Sequence, residues 1–366
     1  MEYKALTNVL NHFPIEEKIV EIAPIGNGHI NDTYGITVDT PQGHERKYIL
    51  QRINDQIFED VETLQSNIFA VTDHIRQHLE RKGAADVARR VLTFIPTKEG
   101  KNYAIVKDGK WRLCYFIKGS KSYENVSPQL AYFAGKAFGE FHSMLSDLPE
   151  GVLGETIPNF HNMSFRLQQF RDAVSEDKAG RVSEVKDLIE EIEQRAEAMT
   201  LQERLFQEGA LKLRTNHCDT KVNNILFDED TDEVLCVIDL DTVMPGFVLS
   251  DIGDFIRTAV NSGEEDDENL ANIQVDMPVF ESYIRGYMEQ AKDFLTPVEI
   301  KLLPYGGRLL TYMQTVRFLT DYINGDTYYK TYKPKHNLIR TKAQFDFLRK
   351  LEQKQEEMDH FMTNWL

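Results

Sequence analysis

Cysteine is scarce in this chain: Cys114, Cys218 and Cys236 are the three among 366 residues. None forms a Cys-x-x-Cys pair and each lies in or beside an apolar run, so reduced, buried thiols are expected rather than a disulfide framework. Long hydrophobic runs are missing too. No stretch approaches the roughly 20 apolar residues that cross a bilayer, and the opening MEYKALTNVLNHFPIEEK lacks the basic start and apolar core of a secretory signal. The expected setting is therefore the cytoplasm. Positive charge is in deficit, with 42 Lys and Arg against 59 Asp and Glu and a formal net charge of −17. That balance excludes a broad nucleic-acid or anionic-membrane surface, which needs basic patches. It leaves room for a polyphosphate held by a local cluster of Lys, Arg and Mg²⁺. Internal repeats and low-complexity tracts are also absent. With 41% apolar and 28% charged residues the composition is that of an ordinary globular protein, and the length suits two domains.

What the chain does contain is concentrated in residues 216–241, NHCDTKVNNILFDEDTDEVLCVIDLD. A His-x-Asp loop is followed by an Asn five residues after the Asp, a short apolar strand, an acidic turn and a second strand ending in Ile238-Asp239. Phosphoryl transfer asks a protein to orient a hydroxyl, hold a magnesium nucleotide and offset charge on the moving group. Asp219 suits the first task as catalytic base. Asn224 and Asp239 offer the hard oxygens that Mg²⁺ prefers, and Lys221 places an ammonium within reach of a transferring phosphate. The run His-Cys-Asp-Thr-Lys-Val-Asn-Asn aligns with the protein-kinase catalytic loop at its Asp, Lys and Asn positions. His217 reads as a support for the loop. Asp241 reads equally as a second metal-facing group or a solvated strand end.

Around this centre the chain changes character. Strands are expected at 19–25, 33–38, 48–53, 91–95, 103–106 and 111–117, with Asp108-Gly109 as a hairpin turn. Between the first two lies Gly26-Asn27-Gly28-His29-Ile30-Asn31, where glycines let backbone N–H groups approach phosphates. The third strand offers Arg52 at the place where kinase-like folds carry a cation that grips the nucleotide phosphates, with Gln51 on its other face. Val61, Leu64, Ile68, Val71, Ile75 and Leu79 fall at helical spacing, and Glu62 is the candidate partner for Arg52. Phe116 and Ile117 would form a hinge whose backbone meets adenine. Beyond it helices prevail: one is lined by Leu130 to Leu145 positions, one spans 183–199 with a solvated acidic face, and one opens with the capping box Thr296-Pro297-Val298-Glu299 and is interrupted at Gly306-Gly307. By resemblance to kinase-like folds, in which an Asp near the start of the corresponding helix anchors the catalytic loop from beneath, Asp251 or Asp254 would take that part.

These motifs resemble the aminoglycoside-phosphotransferase-like branch of the kinase fold, in which His-x-Asp, an Asn five residues on, and Ile-Asp-x-Asp recur; here they are His217, Asp219, Asn224, Asp239 and Asp241. The resemblance implies an α+β, two-lobed protein-kinase-like fold. An antiparallel-sheet lobe with one main helix, residues 1–117, would bind nucleotide, and a mostly helical lobe, residues 118–366, would hold the catalytic and substrate groups. It implies ATP and Mg²⁺ as cofactors and a small hydroxylated acceptor as substrate. Gly26-Asn27-Gly28-His29-Ile30-Asn31-Asp32-Thr33-Tyr34, Phe160-His161-Asn162 and Arg317-Phe318-Leu319-Thr320-Asp321-Tyr322 are similar to segments of N-acetylhexosamine 1-kinases, which phosphorylate the anomeric hydroxyl of GlcNAc or GalNAc. On that likeness Arg317 would contact the sugar, with Tyr328 and His29 lining its site. Choline, homoserine, fructosamine and aminoglycosides stay open as acceptors, as does a catalytically silent nucleotide-binding scaffold, for which the Arg at position 52 in place of Lys speaks.

Overall fold

The structure, a computed structural model, describes residues 3–25 and 31–366. Contacts divide the chain into two compact units, one made of residues 1–122, 147–158 and 225–244 and the other of residues 123–146, 159–224 and 245–366. The first is built on an antiparallel sheet of β1 (Lys18–Pro24), β2 (Asp32–Asp39), β3 (Glu45–Ile53), β4 (Phe94–Ile95), β5 (Ala104–Val106) and β6 (Gly109–Tyr115). Its spatial order is β1-β2-β3-β6-β4, with β5 paired to β6. Strand alternation places Ile36, Val38, Tyr48, Leu50, Trp111 and Leu113 on one face, where they close over Leu6, Val9, Leu10 and Phe13. The β5–β6 turn needs φ of +131° at Gly109, and a side chain there would also run into Arg52.

The periodic stripe becomes the helix Val61–Arg81, whose six expected apolar positions are all buried and whose first turn is capped by Asp60 accepting from Thr63 N–H. On the same helix Asn67 is buried and satisfied on both ends of its amide: it donates to the carbonyls of Gly154 and Val243 and accepts from Gly154 N–H. Those bonds tie segments 147–158 and 225–244 into this unit. Ile225–Asp228 also pairs with Ser120–Lys121 and with Val234–Val237. A single cut after residue 117 therefore does not describe the division. The chain returns to the first unit once through the partners of a buried Asn and again through a small sheet.

The second unit is helical. Thr296 and Glu299 form the capping box, and the helix runs from Pro297 to Ile323 without the interruption expected at Gly306-Gly307. Those glycines are there for contact. A Cβ on Gly306 would lie 2.2 Å from Leu249 O, and one on Gly253 would lie 2.2 Å from Gly306 O, so both are required where the helix Val248–Ala259 presses on Pro297–Ile323. The acidic face of Lys186–Met199 is solvated as expected, with Glu190, Glu193 and Glu197 exposed, and it also carries ion pairs: Glu191 with Arg349, Glu193 with Arg171, and Arg195 with Glu352. Among the described residues, no helix is long and apolar enough to cross a membrane.

Candidate active site

The loop carrying Asp219 is held by two buried carboxylates one helical turn apart. Asp251 accepts from the backbone N–H groups of His217 at 2.6 Å and Cys218 at 2.8 Å, and Asp254 accepts from Thr220 N–H at 3.0 Å. Both candidate anchors thus serve. His142 Nε2 lies 2.8 Å from Asp251, with its Nδ1 2.9 Å from the Tyr287 hydroxyl. Burial alone would raise the Asp251 carboxyl, but His142 and the loop N–H groups outweigh it and hold it below the usual carboxylate range. This clamp keeps Cys218 at φ +65°, a left-handed conformation that costs a non-glycine residue energy. Burial and then the surrounding carboxylates push the Cys218 thiol well up, so it is a packing group and not a nucleophile. Asp251→Asn removes one acceptor from a fully donated carboxylate. It should lower the denaturant midpoint by an amount corresponding to about 1–3 kcal/mol, and an unchanged midpoint would show that the clamp does not hold the loop.

Held this way, Asp219 has two oriented neighbours. Lys221 Nζ lies 2.7 Å from its Oδ1, and the Asn224 amide nitrogen donates to its Oδ2 at 3.0 Å and to its backbone carbonyl at 2.8 Å. Burial would raise the Asp219 carboxyl, yet Lys221 and the further bonds keep it low. Lys221 is held charged by Asp219 against the effect of its own burial. Because the Asn224 nitrogen is spent on Asp219, its amide oxygen is the atom left to face a ligand. Asp239 follows Val234–Val237 at φ +59° and opens the turn Leu240–Thr242. It belongs to the first unit, whereas Asp219, Lys221 and Asn224 belong to the second. An amide oxygen and a carboxylate are each donors of the kind Mg²⁺ accepts. Among the described residues, no group of three or more His, Cys, Asp and Glu could hold a metal ion.

In the first unit Asp241 is neither a strand-end charge in water nor an obvious metal ligand. It is buried with Arg112, its ion-pair partner, and accepts from the Asn31 amide at 2.5 Å. Asn31 in turn accepts from Asn54 N–H, and Arg112 Nε donates to Gln51 Oε1. Cross-strand register puts Gln51 opposite Arg112 and Arg52 opposite Trp111. The pleat thus turns Arg52 away from the Asp241 face and leaves it half-exposed, 3.6 Å from Asp32. Arg112 is the cation on that face, and Arg52 lies on the opposite one, in keeping with the expected alternation of Gln51 and Arg52. Glu62 accepts from Tyr103 rather than meeting Arg52. The sequence signal for Arg112 is its position as a lone cation inside the apolar run Trp-Arg-Leu-Cys-Tyr-Phe. At the hinge, Phe116 N–H is spent on Lys47 O and Ile117 O accepts from the Ser120 hydroxyl, so a base there must use other backbone atoms. Gly26, Gly28 and His29 lie outside the described residues.

Among the described residues, Arg317 has no carboxylate partner. Its guanidinium lies over Phe160, Tyr328 and Tyr329, at 5.7, 5.9 and 5.6 Å from their ring centres. Tyr328 is exposed, and the backbone N–H groups of Thr327, Tyr328 and Tyr329 all point to the Asp321 carboxylate. Arg317, Tyr328 and Tyr329, with Arg166, line a cavity of about 390 Å³. Sequence reasoning does not single out Arg166 or Tyr329, although Arg166 lies six residues past Phe160 on the helix that Asn162 caps. His161 stacks on Phe160 at 4.5 Å, and burial brings its pKa down to about 3. Its unfolded value is about 6.5. The unfolded chain thus binds the extra proton between these values, and stability present above pH 6.5 is lost as pH falls. Between pH 7 and 5 the wild type should lose about 2 kcal/mol more than His161→Gln, checked by urea melts at both pH values; equal losses would contradict a neutral, buried His161.

Similarity to known proteins agrees with this geometry. Residues 21–283 match the model of a family described as "Phosphotransferase enzyme family". Solved structures extend the likeness over the whole chain. An aminoglycoside phosphotransferase from Alicyclobacillus acidocaldarius is 13% identical, with 98% of this chain and 94% of that one covered at a TM-score of 0.58. A choline kinase from Cryptosporidium parvum Iowa II is 13% identical, with 100% and 99% covered and a TM-score of 0.58. An amicoumacin kinase in complex with AMP-PNP, Ca²⁺ and Ami is 12% identical, with 95% and 93% covered and a TM-score of 0.60. At these identities the structures establish the two-lobed, protein-kinase-like α+β fold. The matched model covers more than two thirds of the sequence, including the Asp219 loop and Asp239, and the chain belongs to the phosphotransferase enzyme family.

Proposed function

We propose that this protein is an ATP-dependent kinase of the anomeric hydroxyl of N-acetylhexosamines, an N-acetylhexosamine 1-kinase, acting in the cytoplasm with its thiols reduced. The observation that carries the reading is Asp219, an ionised carboxylate aimed by Lys221 and Asn224 on a loop clamped from beneath. Mg²⁺·ATP, when bound, supplies the phosphoryl group and screens its charge. Asn224 and Asp239 would hold the metal through their side-chain oxygens, and Gly26 and Gly28 would lend backbone N–H groups to the phosphates. Asp219 accepts a hydrogen bond from the sugar 1-OH and takes its proton late, as the new O–P bond forms and the bond to the ADP leaving group breaks. Lys221 stays charged beside that carboxylate and offsets charge on the transferring group. Arg317, Tyr328 and His29 would bound the sugar, with aromatic faces for its apolar side and a guanidinium for its oxygens.

The test is a coupled ADP-release assay with ATP and Mg²⁺ against GlcNAc, GalNAc, choline, homoserine and kanamycin. Release with an N-acetylhexosamine, and a product stable to base but labile to acid, is expected. Release only with an amine acceptor would replace the sugar, and no release with any acceptor despite ATP binding would favour a silent scaffold.

A further inference from the structure

In a chain this acidic, arginines find carboxylates readily: Arg112 meets Asp241, Arg181 meets Asp326, Arg214 meets Glu299, and Arg257 meets Asp254 and Glu265. Arg166 and Arg317, which share one cavity, meet none among the described residues. Arg166 donates to neutral acceptors, Gln169 Oε1 at 2.9 Å and Phe160 O at 3.1 Å, and its buried Nε has no hydrogen-bond partner among the described residues. Arg317 reaches Gln314 Oε1 at 3.4 Å and the surrounding rings. The carboxylates lining the cavity form their hydrogen bonds and ion pairs with other groups. Asp321 takes three backbone N–H groups and the Asn337 amide, Asp172 takes the Gln168 amide, and Glu176 pairs with Lys178. Burial, then the neighbouring Arg317, brings the Arg166 pKa down to about 10, the mark of a desolvated cation beside a like charge. His161 next to them contributes a second buried nitrogen, Nδ1, without a partner among the described residues. Two guanidiniums without an ion-pair partner among the described residues line a cavity of about 390 Å³, and a guanidinium fork is a group that binds an oxyanion bidentately.

We propose that this cavity receives an anionic substituent, a carboxylate or a phosphate monoester, carried by the sugar acceptor at a position remote from the hydroxyl that is phosphorylated. The inference rests on the phosphotransferase reading above and narrows it: the acceptor is an acidic sugar, with Tyr328 and Tyr329 against its ring and Arg166 as the residue that selects for acid. Cationic acceptors such as choline and aminoglycosides are then disfavoured by like charge.

The test uses matched pairs that differ in the anion: N-acetylglucosamine 6-phosphate against N-acetylglucosamine, and galacturonic acid against galactose. Binding is followed by calorimetry on the full chain, and turnover by ADP release. The acidic member of at least one pair should bind at least tenfold more tightly and show the higher kcat/KM. Arg166→Gln should abolish that difference through KM with kcat retained, and Arg166→Lys should restore part of it. Equal binding within both pairs, or a preference that survives Arg166→Gln, would overturn the proposal. Inorganic phosphate added with N-acetylglucosamine separates a free anion from an attached one: if it binds at this cavity while neither acidic sugar is preferred, attachment to the acceptor is wrong. Calorimetry does not require turnover, so absent ADP release with intact acid-dependent binding counts against the kinase reading, whereas turnover without acid preference counts against this inference alone.

Discussion

Asp219→Asn is expected to lower kcat by about 10³-fold, the range general-base catalysis commonly supplies, with the thermal midpoint and ATP affinity close to wild type. The change keeps the shape of the side chain and an oxygen that the Asn224 amide can still reach, so the loop retains part of its hydrogen bonding. It removes the charge that Lys221 answers at 2.7 Å and the basic oxygen placed to receive the acceptor proton. Asp219 is held below the ordinary carboxylate range, so it is ionised throughout the neutral region and acts by position and late proton acceptance rather than by a tuned pKa near 7. No acid limb from this group should therefore appear in a kcat profile above about pH 4. Steady-state kinetics with ATP and the preferred acceptor decide the matter, and turnover within tenfold of wild type in Asp219→Asn would remove Asp219 from the chemistry.

Much of this architecture is legible in the amino-acid sequence, and the parts that are not have common causes. Helices announce themselves because periodicity and capping are local: the six apolar positions of Val61–Arg81 and the Thr296–Glu299 box need nothing from elsewhere in the chain. The Asp219 loop is legible for the same reason, as three chemical groups fixed by spacing. Sequence misleads where a distant partner decides. Gly306-Gly307 looks like a break because glycine weakens an isolated helix, but Leu249 and Gly253 on another helix require it. Arg52 and Arg112 both sit in strands, and only the register of β3 against β6 settles which faces Asp241. The acidic face of Lys186–Met199 is solvated as its sequence suggests, but its ion pairs are not legible because Arg171, Arg349 and Glu352 lie outside that helix in sequence.

Arg112→Met is expected to cost about 3–5 kcal/mol, the usual result of leaving one member of a buried ion pair uncompensated. Arg112 and Asp241 are each only 3% exposed, so water cannot replace the lost partner. The guanidinium also supports Gln51, which reaches on to Thr33, and Asp241 holds Asn31, so the pair fastens β2, β3 and β6 to the turn that begins at Asp239. Two roles are mixed in such a pair, and a second substitution separates them. Arg112→Met with Asp241→Leu buries apolar groups in place of the charges and should recover most of the lost stability, since a packed apolar pair often matches a buried ion pair. It should not recover the position of Asp239, which lies two residues from the altered side chain at a strained φ of +59°. The double variant is therefore expected to melt near wild type in denaturant while its KM for ATP stays raised at least tenfold. Recovery of both quantities would reduce the pair to a structural staple; recovery of neither would mean that Asn31 and Gln51, rather than the charges, carry the connection.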